Sequence, residues 1–171
     1  MTLEPLELPR DLGRLHAWVT HPKAVYWEMQ GATLQDVATE YALIEDDPRH
    51  DAWLGRADGE PAFLAETYDP YHSELAVVPE LRPGDLGMHV LVAPTDAPVP
   101  GFTRRVFREV MAHCFADPAV RRVVVEPDVR NDRIAALNEA AGFEVVRPVR
   151  LRSKEAALSF CTRAVWEGSE L

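Results

Sequence analysis

The chain has 171 residues, 47% hydrophobic and 27% charged, the balance of an ordinary globular protein with length for a substantial core. Its formal net charge of −10 argues against nucleic acid or an anionic membrane surface as the main partner and is compatible with a small cationic substrate. No apolar run approaches the roughly 20 residues that span a bilayer, and Met1-Thr2-Leu3-Glu4-Pro5 lacks the basic and apolar regions of a signal peptide, so a cytoplasmic location is expected. Cys114 and Cys161 stand in apolar stretches without metal or redox spacing, as reduced core thiols would. The histidines at 16, 21, 50, 72, 89 and 113 show no ligand spacing, and no metal site is expected.

Taken in order, residues 3–8 suit an edge strand blunted by Pro5 and Pro9. Leu12, Leu15, Trp18 and Val19 fall at helical spacing, so a helix is predicted from Arg10 to Thr20, stopped by His21-Pro22. Lys23 to Gln30 reads as a short helical turn; its Tyr26, Trp27 and Met29 either pack the core or form one wall of a pocket. Thr33 caps the next helix, predicted to run to Glu45 with Leu34, Val37, Tyr41 and Ile44 facing inward. Strands over Asp51 to Arg56 and Pro61 to Tyr68 flank Ala57-Asp58-Gly59-Glu60, a hairpin signal. The following Glu66-Thr67-Tyr68-Asp69-Pro70-Tyr71-His72 mixes acids with aromatic faces, which suits either plain solvent or an ammonium-bearing ligand. Residues 73–84 are proline-punctuated and read as irregular.

The stretch Asp85 to Pro94 reads as a short central strand, its apolar run too brief for a helix and its proline ending it. Met88, Val90 and Val92 share one of its faces, and Gly87, His89 and Leu91 the other. A histidine therefore stands in a run that otherwise reads as buried, either as a core side chain satisfied by a carbonyl or as a working group. After a proline-rich loop, a helix is predicted from Gly101 to Ala116, with Phe102, Val106, Val110, Met111 and Cys114 as its buried stripe. Gly101 permits close backbone approach, and Arg104 and Arg105 make a basic first turn that opposes the helix dipole; a bound phosphate would account for it. Arg121 to Glu126 is a parallel-type apolar strand reached by this helical crossover. Pro127-Asp128-Val129-Arg130-Asn131 then turns into a helix from Asp132 to Ala141, with Gly142 as C-cap. Two further strands are predicted, over Glu144 to Pro148 and Glu155 to Val165. In this order two strands end side by side, with His89 on one and an acid, Asp128, at the end of the other.

Asn131-Asp132-Arg133-Ile134-Ala135-Ala136-Leu137-Asn138-Glu139-Ala140-Ala141-Gly142-Phe143 resembles the acyl-CoA-binding helix and following Gly-Phe of the GNAT acyltransferases. Gly87-Met88-His89 on a proline-closed strand, with Glu126-Pro127-Asp128-Val129-Arg130-Asn131, resembles more narrowly the branch that acylates hydroxylated or lysine-like amines for hydroxamate siderophores. Trp18-Val19-Thr20-His21-Pro22-Lys23-Ala24, Gly59-Glu60-Pro61-Ala62-Phe63-Leu64, Tyr68-Asp69-Pro70 and Leu158-Ser159-Phe160-Cys161-Thr162-Arg163 carry the match across most of the chain. Together they are most similar to the N-hydroxycadaverine acyltransferases of desferrioxamine-type assembly.

The resemblance implies one α/β (α+β) GNAT domain over residues 1–171: a single mixed, mostly antiparallel sheet of about seven strands and about four flanking helices, with central strands splayed for acyl-CoA. It implies acyl-CoA (acetyl or succinyl) as co-substrate, no metal, a small hydroxylated diamine as acceptor, and a diamine N-hydroxylase and a siderophore synthetase as functional partners. Val90, Leu91 and Val92, the helix start Gly101, Phe102, Thr103, Arg104 and Arg105, and Asn131 and Asn138 carry over as the acyl-CoA-binding set. His89 carries over as general base. Asp128 either orients its imidazole, holds the N–OH group, or merely caps the helix after Asn131. Trp27, Gln30, Glu66, Tyr68, Asp69 and Met88 are the candidates for the acceptor pocket, Glu66 and Asp69 for a distal ammonium.

Two departures stand out. Asp96-Ala97-Pro98-Val99-Pro100-Gly101 keeps a single glycine of the family's pyrophosphate loop, and its prolines remove N–H donors. Asn138 stands where many members carry a tyrosine that protonates the leaving thiolate, although a thiol of pKa about 8.5 can leave without it. The Gly-Phe and long-helix features equally fit an acetyltransferase for N6-hydroxylysine, lysine or an aminoglycoside, and the eroded loop fits a non-catalytic acyl-CoA-binding module.

Overall fold

The computed structural model describes residues 1–169. Its strands are β1 (Thr2–Pro5), β2 (His50–Ala57), β3 (Glu60–Tyr68), β4 (Asp85–Val92), β5 (Arg122–Val125), β6 (Glu144–Arg150) and β7 (Glu155–Thr162). They form one seven-stranded sheet in the order β1-β2-β3-β4-β5-β7-β6. Every neighbouring pair is antiparallel except β4 with β5. The helices are α1 (Leu12–Val19), α2 (Leu34–Asp46), α3 (Phe102–Cys114), α4 (Asp132–Ala140) and a short α5 (Arg163–Glu167).

Alternation along the strands divides the core between two faces. Phe63 and Ala65 of β3, Met88 of β4, and Val123 and Val125 of β5 pack under α3 through Val106, Phe107, Val110, Met111 and Cys114. Leu64 of β3 turns the other way, to Leu15 and Val19 of α1 and Val37, Tyr41 and Ile44 of α2. Further along that second face, Leu75, Val78 and Leu81 cover Val124, Leu158 and Phe160. The side chains of Glu66, His89 and Glu126 fall on this second face by the same alternation.

Local chemistry sets the element ends. The Thr33 hydroxyl accepts from the Asp36 N–H while the Asp36 carboxylate accepts from the Thr33 N–H, a reciprocal cap that starts α2. Gly142 takes a φ of 87° after α4, the left-handed turn that glycine adopts without a Cβ penalty. Arg122 pins the start of β5 to β4 through two 2.7 Å hydrogen bonds to the Asp85 carboxylate.

Three sequence expectations need correction. The first strand ends at Pro5 rather than residue 8, because the Glu7 N–H and the Arg10 guanidinium turn in to bond the buried Asp11 carboxylate. Leu34 does not face inward; it is 49% exposed in the first turn of α2, ahead of the buried Val37, Tyr41 and Ile44. The last strand stops at Thr162, whose hydroxyl accepts from the Val165 N–H and caps α5. Cys114 and Cys161 are buried free thiols, as expected, and burial raises Cys114 to about 12. Among the described residues no helix is long and apolar enough to cross a membrane.

Candidate active site

The site begins where the sheet opens. The parallel pairing of β4 with β5 covers only Asp85, Leu86 and Gly87 against Arg122, Val123 and Val124. Beyond it, β4 stays on β3 as far as Val92, whereas the chain after β5 follows β7: Pro127 accepts from the Ala157 N–H, and Val129 donates to the Glu155 carbonyl. Backbone parity then decides which groups face the gap. The Ala93 N–H donates to the Ala62 carbonyl at 2.9 Å, so the odd positions of β4 spend their amides on β3. Met88, Val90 and Val92 therefore turn their N–H and C=O groups towards the side β5 has left. A strand edge without a partner is a ready receptor for an extended amide-bearing ligand.

On the second face, three charged side chains meet. Glu66 lies directly across the β3–β4 ladder from His89, and Glu126 follows β5 at the splay. His89 Nδ1 lies 3.1 Å from Glu66 Oε2, and Nε2 lies 2.6 Å from Glu126 Oε1. With a carboxylate at each nitrogen, both nitrogens act as donors and the ring is an imidazolium. Burial opposes that charge, but Glu126 and Glu66 outweigh it and raise His89 to about 10. Burial likewise pushes Glu66 up, while the His50 and His89 rings and the Tyr41 hydroxyl pull it down to about 2. Glu126 is also lowered: against its burial stand the charge and hydrogen bond of His89, then Lys154 and Tyr68.

An outer ring of groups fixes the carboxylates. The Tyr41 hydroxyl donates to Glu66 Oε1 at 2.8 Å and accepts from the Trp27 indole N–H at 3.2 Å. The Tyr68 hydroxyl donates to Glu126 Oε2 at 2.9 Å. Its ring crosses β4 over Gly87, where any Cβ would stand about 2.2 Å from ring carbons. Gly87 is thus the position that lets Tyr68 reach Glu126. His50 Nε2 comes to 3.7 Å from Glu66 Oε2, too far for a hydrogen bond, and Lys154 Nζ to 3.8 Å from Glu126 Oε1.

Two cavities meet at this cluster. One, of about 340 Å³, runs along Met88, Val90 and Leu91, past Trp27, Phe107 and Val125, to Asn131, Ile134 and Asn138 of the α4 region. The other, of about 300 Å³, is bounded by His50, Tyr68, Asp69, Glu74 and Leu151. Glu28, His89, Glu126 and Lys154 line both. A donor in the first cavity and an acceptor in the second would meet there.

Residues 7–151 match the family model of the acetyltransferase (GNAT) domain. The chain belongs to the GNAT acetyltransferases. It is 27% identical over 162 residues to an N-hydroxyputrescine acetyltransferase of Acinetobacter baumannii, covering 94% of this chain and 77% of that protein. It is also 27% identical over 169 residues to an aminoglycoside N(6′)-acetyltransferase type 1 of Klebsiella pneumoniae, covering 92% of this chain and 81% of that protein. A solved aminoglycoside acetyltransferase in complex with coenzyme A and kanamycin has a TM-score of 0.86 to this chain, at 25% identity and with 99% of both chains covered. The chain is accordingly a GNAT-type acyltransferase, and the splayed sheet is the GNAT arrangement.

Within the GNAT framework the expected site residues separate. Met88, Val90, Leu91, Asn131 and Asn138 line the first cavity, together with Trp27, whose ring lies edge-on to His89 at 6.1 Å. Tyr68 and Asp69 line the second, and Glu66 holds His89. Gly101, Phe102, Thr103, Arg104 and Arg105 open α3 outside both cavities; Gly101 is left-handed at φ 75° and no side chain caps the helix. Phe102 packs on the core, with the Arg105 guanidinium 5.5 Å over its ring.

Four expectations change. Asp128 does not orient His89: both its oxygens bond Arg130, at 2.8 and 2.6 Å, which holds it down to about 2. His89, expected to be held by one acid at most, stands between two carboxylates, Glu66 and Glu126, which raise it to about 10. Leu91 turns its backbone to β3, so Val90 and Val92 carry the open edge. Gln30 is exposed, donates to the Pro22 carbonyl at 3.3 Å and lies outside both cavities. Reading the sequence missed Glu126, Tyr41, His50 and Lys154. Glu126 had a signal, since alternation from the buried Val124 puts it on the His89 face; the other three carry none without the tertiary fold.

Proposed function

We propose that this GNAT enzyme transfers an acyl group from acyl-CoA to the hydroxylamine nitrogen of an N-hydroxy diamine such as N-hydroxycadaverine, giving a hydroxamate. The observation that carries this reading is the double carboxylate cage around His89. Its imidazole is already protonated, and both carboxylates are held below their usual range, so the cluster offers no base able to strip an alkylammonium. Neutralising an amine of pKa about 10.4 costs about 4.6 kcal/mol at pH 7. An N-hydroxylated nitrogen, made less basic by its oxygen, arrives neutral with its lone pair free. The likeness to an N-hydroxyputrescine acetyltransferase supports the same acceptor class.

In this mechanism the acyl-CoA lies along the open edge of β4, its thioester oxygen on the Val90 N–H and its pantetheine arm towards Val92. The acceptor nitrogen comes from the second cavity and attacks the thioester carbonyl; the C–S bond breaks and CoA leaves as thiolate. Attack makes the nitrogen strongly acidic, and its proton passes to Glu126, which needs no high pKa for that transfer. The His89 imidazolium holds Glu126 in place and balances the charge of the two carboxylates. The second cavity's acidic residues, Asp69 and Glu74 among them, suit the distal ammonium of a diamine. A diamine N-hydroxylase would supply such an acceptor, and a siderophore synthetase would consume the product.

The equal identity to an aminoglycoside acetyltransferase favours one alternative, a polycationic sugar amine in the same acidic cavity. CoA thiol release separates the two readings. Acetyl-CoA and succinyl-CoA are each offered with N-hydroxycadaverine, N-hydroxyputrescine, cadaverine, N6-hydroxylysine and kanamycin. The expected result is a kcat/KM for the hydroxylated diamines at least 100-fold above that for cadaverine or kanamycin. Kanamycin as the best acceptor would overturn the hydroxamate reading, and no release with any amine would return the protein to a binding role.

A further inference from the structure

The mechanism leaves two charged side chains of the junction unused: Glu28, whose carboxylate accepts from the Ser153 hydroxyl at 2.6 Å, and Lys154. Lys154 closes the turn between β6 and β7, where its carbonyl accepts from the Leu151 N–H at 2.9 Å. Only 16% of its side chain is exposed; the residue lines both cavities, and its Nζ lies beside the Glu126 carboxylate. An ammonium has three donors. Among the described residues this one makes no hydrogen bond; its contact with Glu126 Oε1, at 3.8 Å, is an ion pair beyond hydrogen-bond reach. Glu126 is itself engaged elsewhere, by His89 on one oxygen and Tyr68 on the other. A largely buried cation with unspent donors, at the place where donor and acceptor meet, is set for an oxygen that the substrate brings.

We propose that Lys154 is the specificity residue that reads the hydroxyl oxygen of the acceptor, and so distinguishes an N-hydroxylated amine from a plain one. This rests on the hydroxamate reading above. The gap between Nζ and Oε1 is too long for a direct hydrogen bond and short enough for one hydroxyl to touch both groups. The N–OH oxygen accepts from Lys154, and its proton is donated to the Glu126 carboxylate. Those two contacts turn the nitrogen lone pair towards the first cavity, where the thioester lies. A plain amine has no oxygen to offer, and Lys154 keeps its donors unpaired beside it.

The test is the ratio of kcat/KM for N-hydroxycadaverine to that for cadaverine, in the wild type and in Lys154→Met and Lys154→Gln, with acetyl-CoA and with succinyl-CoA. A wild type without preference for the hydroxylated diamine fails the hydroxamate reading itself. Given that preference, Lys154→Met is expected to lower the ratio about 10- to 100-fold with either donor, the worth of one charge-assisted hydrogen bond, and Lys154→Gln to keep part of it through its amide donor. An equal fall for both acceptors, leaving the ratio intact, would make Lys154 a structural partner of Glu126 and overturn the proposal. A loss confined to succinyl-CoA would also overturn it, because Lys154 would then be reading the acyl carboxylate. Should Lys154→Met not fold, Lys154→Gln decides by the same ratio: retention of the full wild-type preference together with a uniform loss of rate overturns the proposal.

Discussion

The two cavities that meet at His89 are built on opposite principles. The first is built along backbone and apolar surface, a strand edge that β5 abandons after Gly87, walled by Met88, Phe107 and Val125, with its charged groups, Glu66, His89, Glu126 and Lys154 among them, gathered where it meets the second. The second is side-chain chemistry: titratable groups from β2, β3, β4 and the residue after β5, among which Tyr68 bonds Glu126 and His89 bonds both Glu126 and Glu66. A donor with the same pantetheine arm whatever its acyl group can be held by a constant feature such as backbone. An acceptor that varies from enzyme to enzyme has to be selected by side chains, which substitution can change without disturbing the sheet. Relatives named for a hydroxylated diamine and for an aminoglycoside, both 27% identical to this chain, fit that division.

Glu126→Gln is the strongest way to break it. Glu126 lines both cavities but works for the acceptor side, so the variant should lose turnover by about 10²–10⁴-fold. Its affinity for acetyl-CoA, measured by calorimetry, should change little. Removing one partner of a buried charged cluster also costs about 3–5 kcal/mol of stability, read in urea unfolding. A loss of turnover matched by an equal loss of acetyl-CoA affinity would merge the two regions into one.

His89→Gln tests the cage through pH. The His89 pKa is raised in the folded protein, so its contribution to stability is complete below about pH 6.5 and is lost as pH rises through about 10. Glu66 is depressed, so its contribution is present above about pH 4.5 and is lost as pH falls through about 2. Both are complete between about pH 4.5 and 6.5. Urea midpoints at pH 6 and pH 10 should show a wild-type advantage over His89→Gln that is largest at pH 6 and fades towards pH 10. The rate makes the same distinction: a caged imidazolium gives no inflection in kcat/KM near pH 6.5 with a neutral acceptor, whereas a free histidine base would give one. That inflection would restore His89 as the base and take the proton from Glu126.

The same division explains what was legible in the sequence. Asp85 to Val92, the crossover helix, and the Asn131 to Phe143 stretch announce the backbone-built side, because strand length, helix spacing and Gly142 at a C-cap are local signals. The side-chain-built side is non-local. Glu66 meets His89 because of the β3–β4 register, and Glu126 reaches Tyr68 because Gly87 has no Cβ. Asp128 looked like the acid for His89 by sequence position, yet it lies two residues past Glu126 in a turn, and Arg130 claims it. Gly87 in a strand was the one local hint of close approach, and nothing nearby said that a tyrosine was approaching.

The smallest expected effect sharpens the boundary between the cavities. The turn Pro22–Trp27 carries Trp27 to the edge of His89, and Gln30 lies just after it, donating to the Pro22 carbonyl from an exposed position. Trp27 is anchored independently by its indole bond to Tyr41, so Gln30→Ala should change stability by no more than about 0.5 kcal/mol. Its kcat/KM for N-hydroxycadaverine should match the wild type. A clear loss of kcat/KM with stability intact would mean that the chain after Trp27 closes over the acceptor, so that backbone as well as side chains would select it and the contrast between the two cavities would weaken on the acceptor's side.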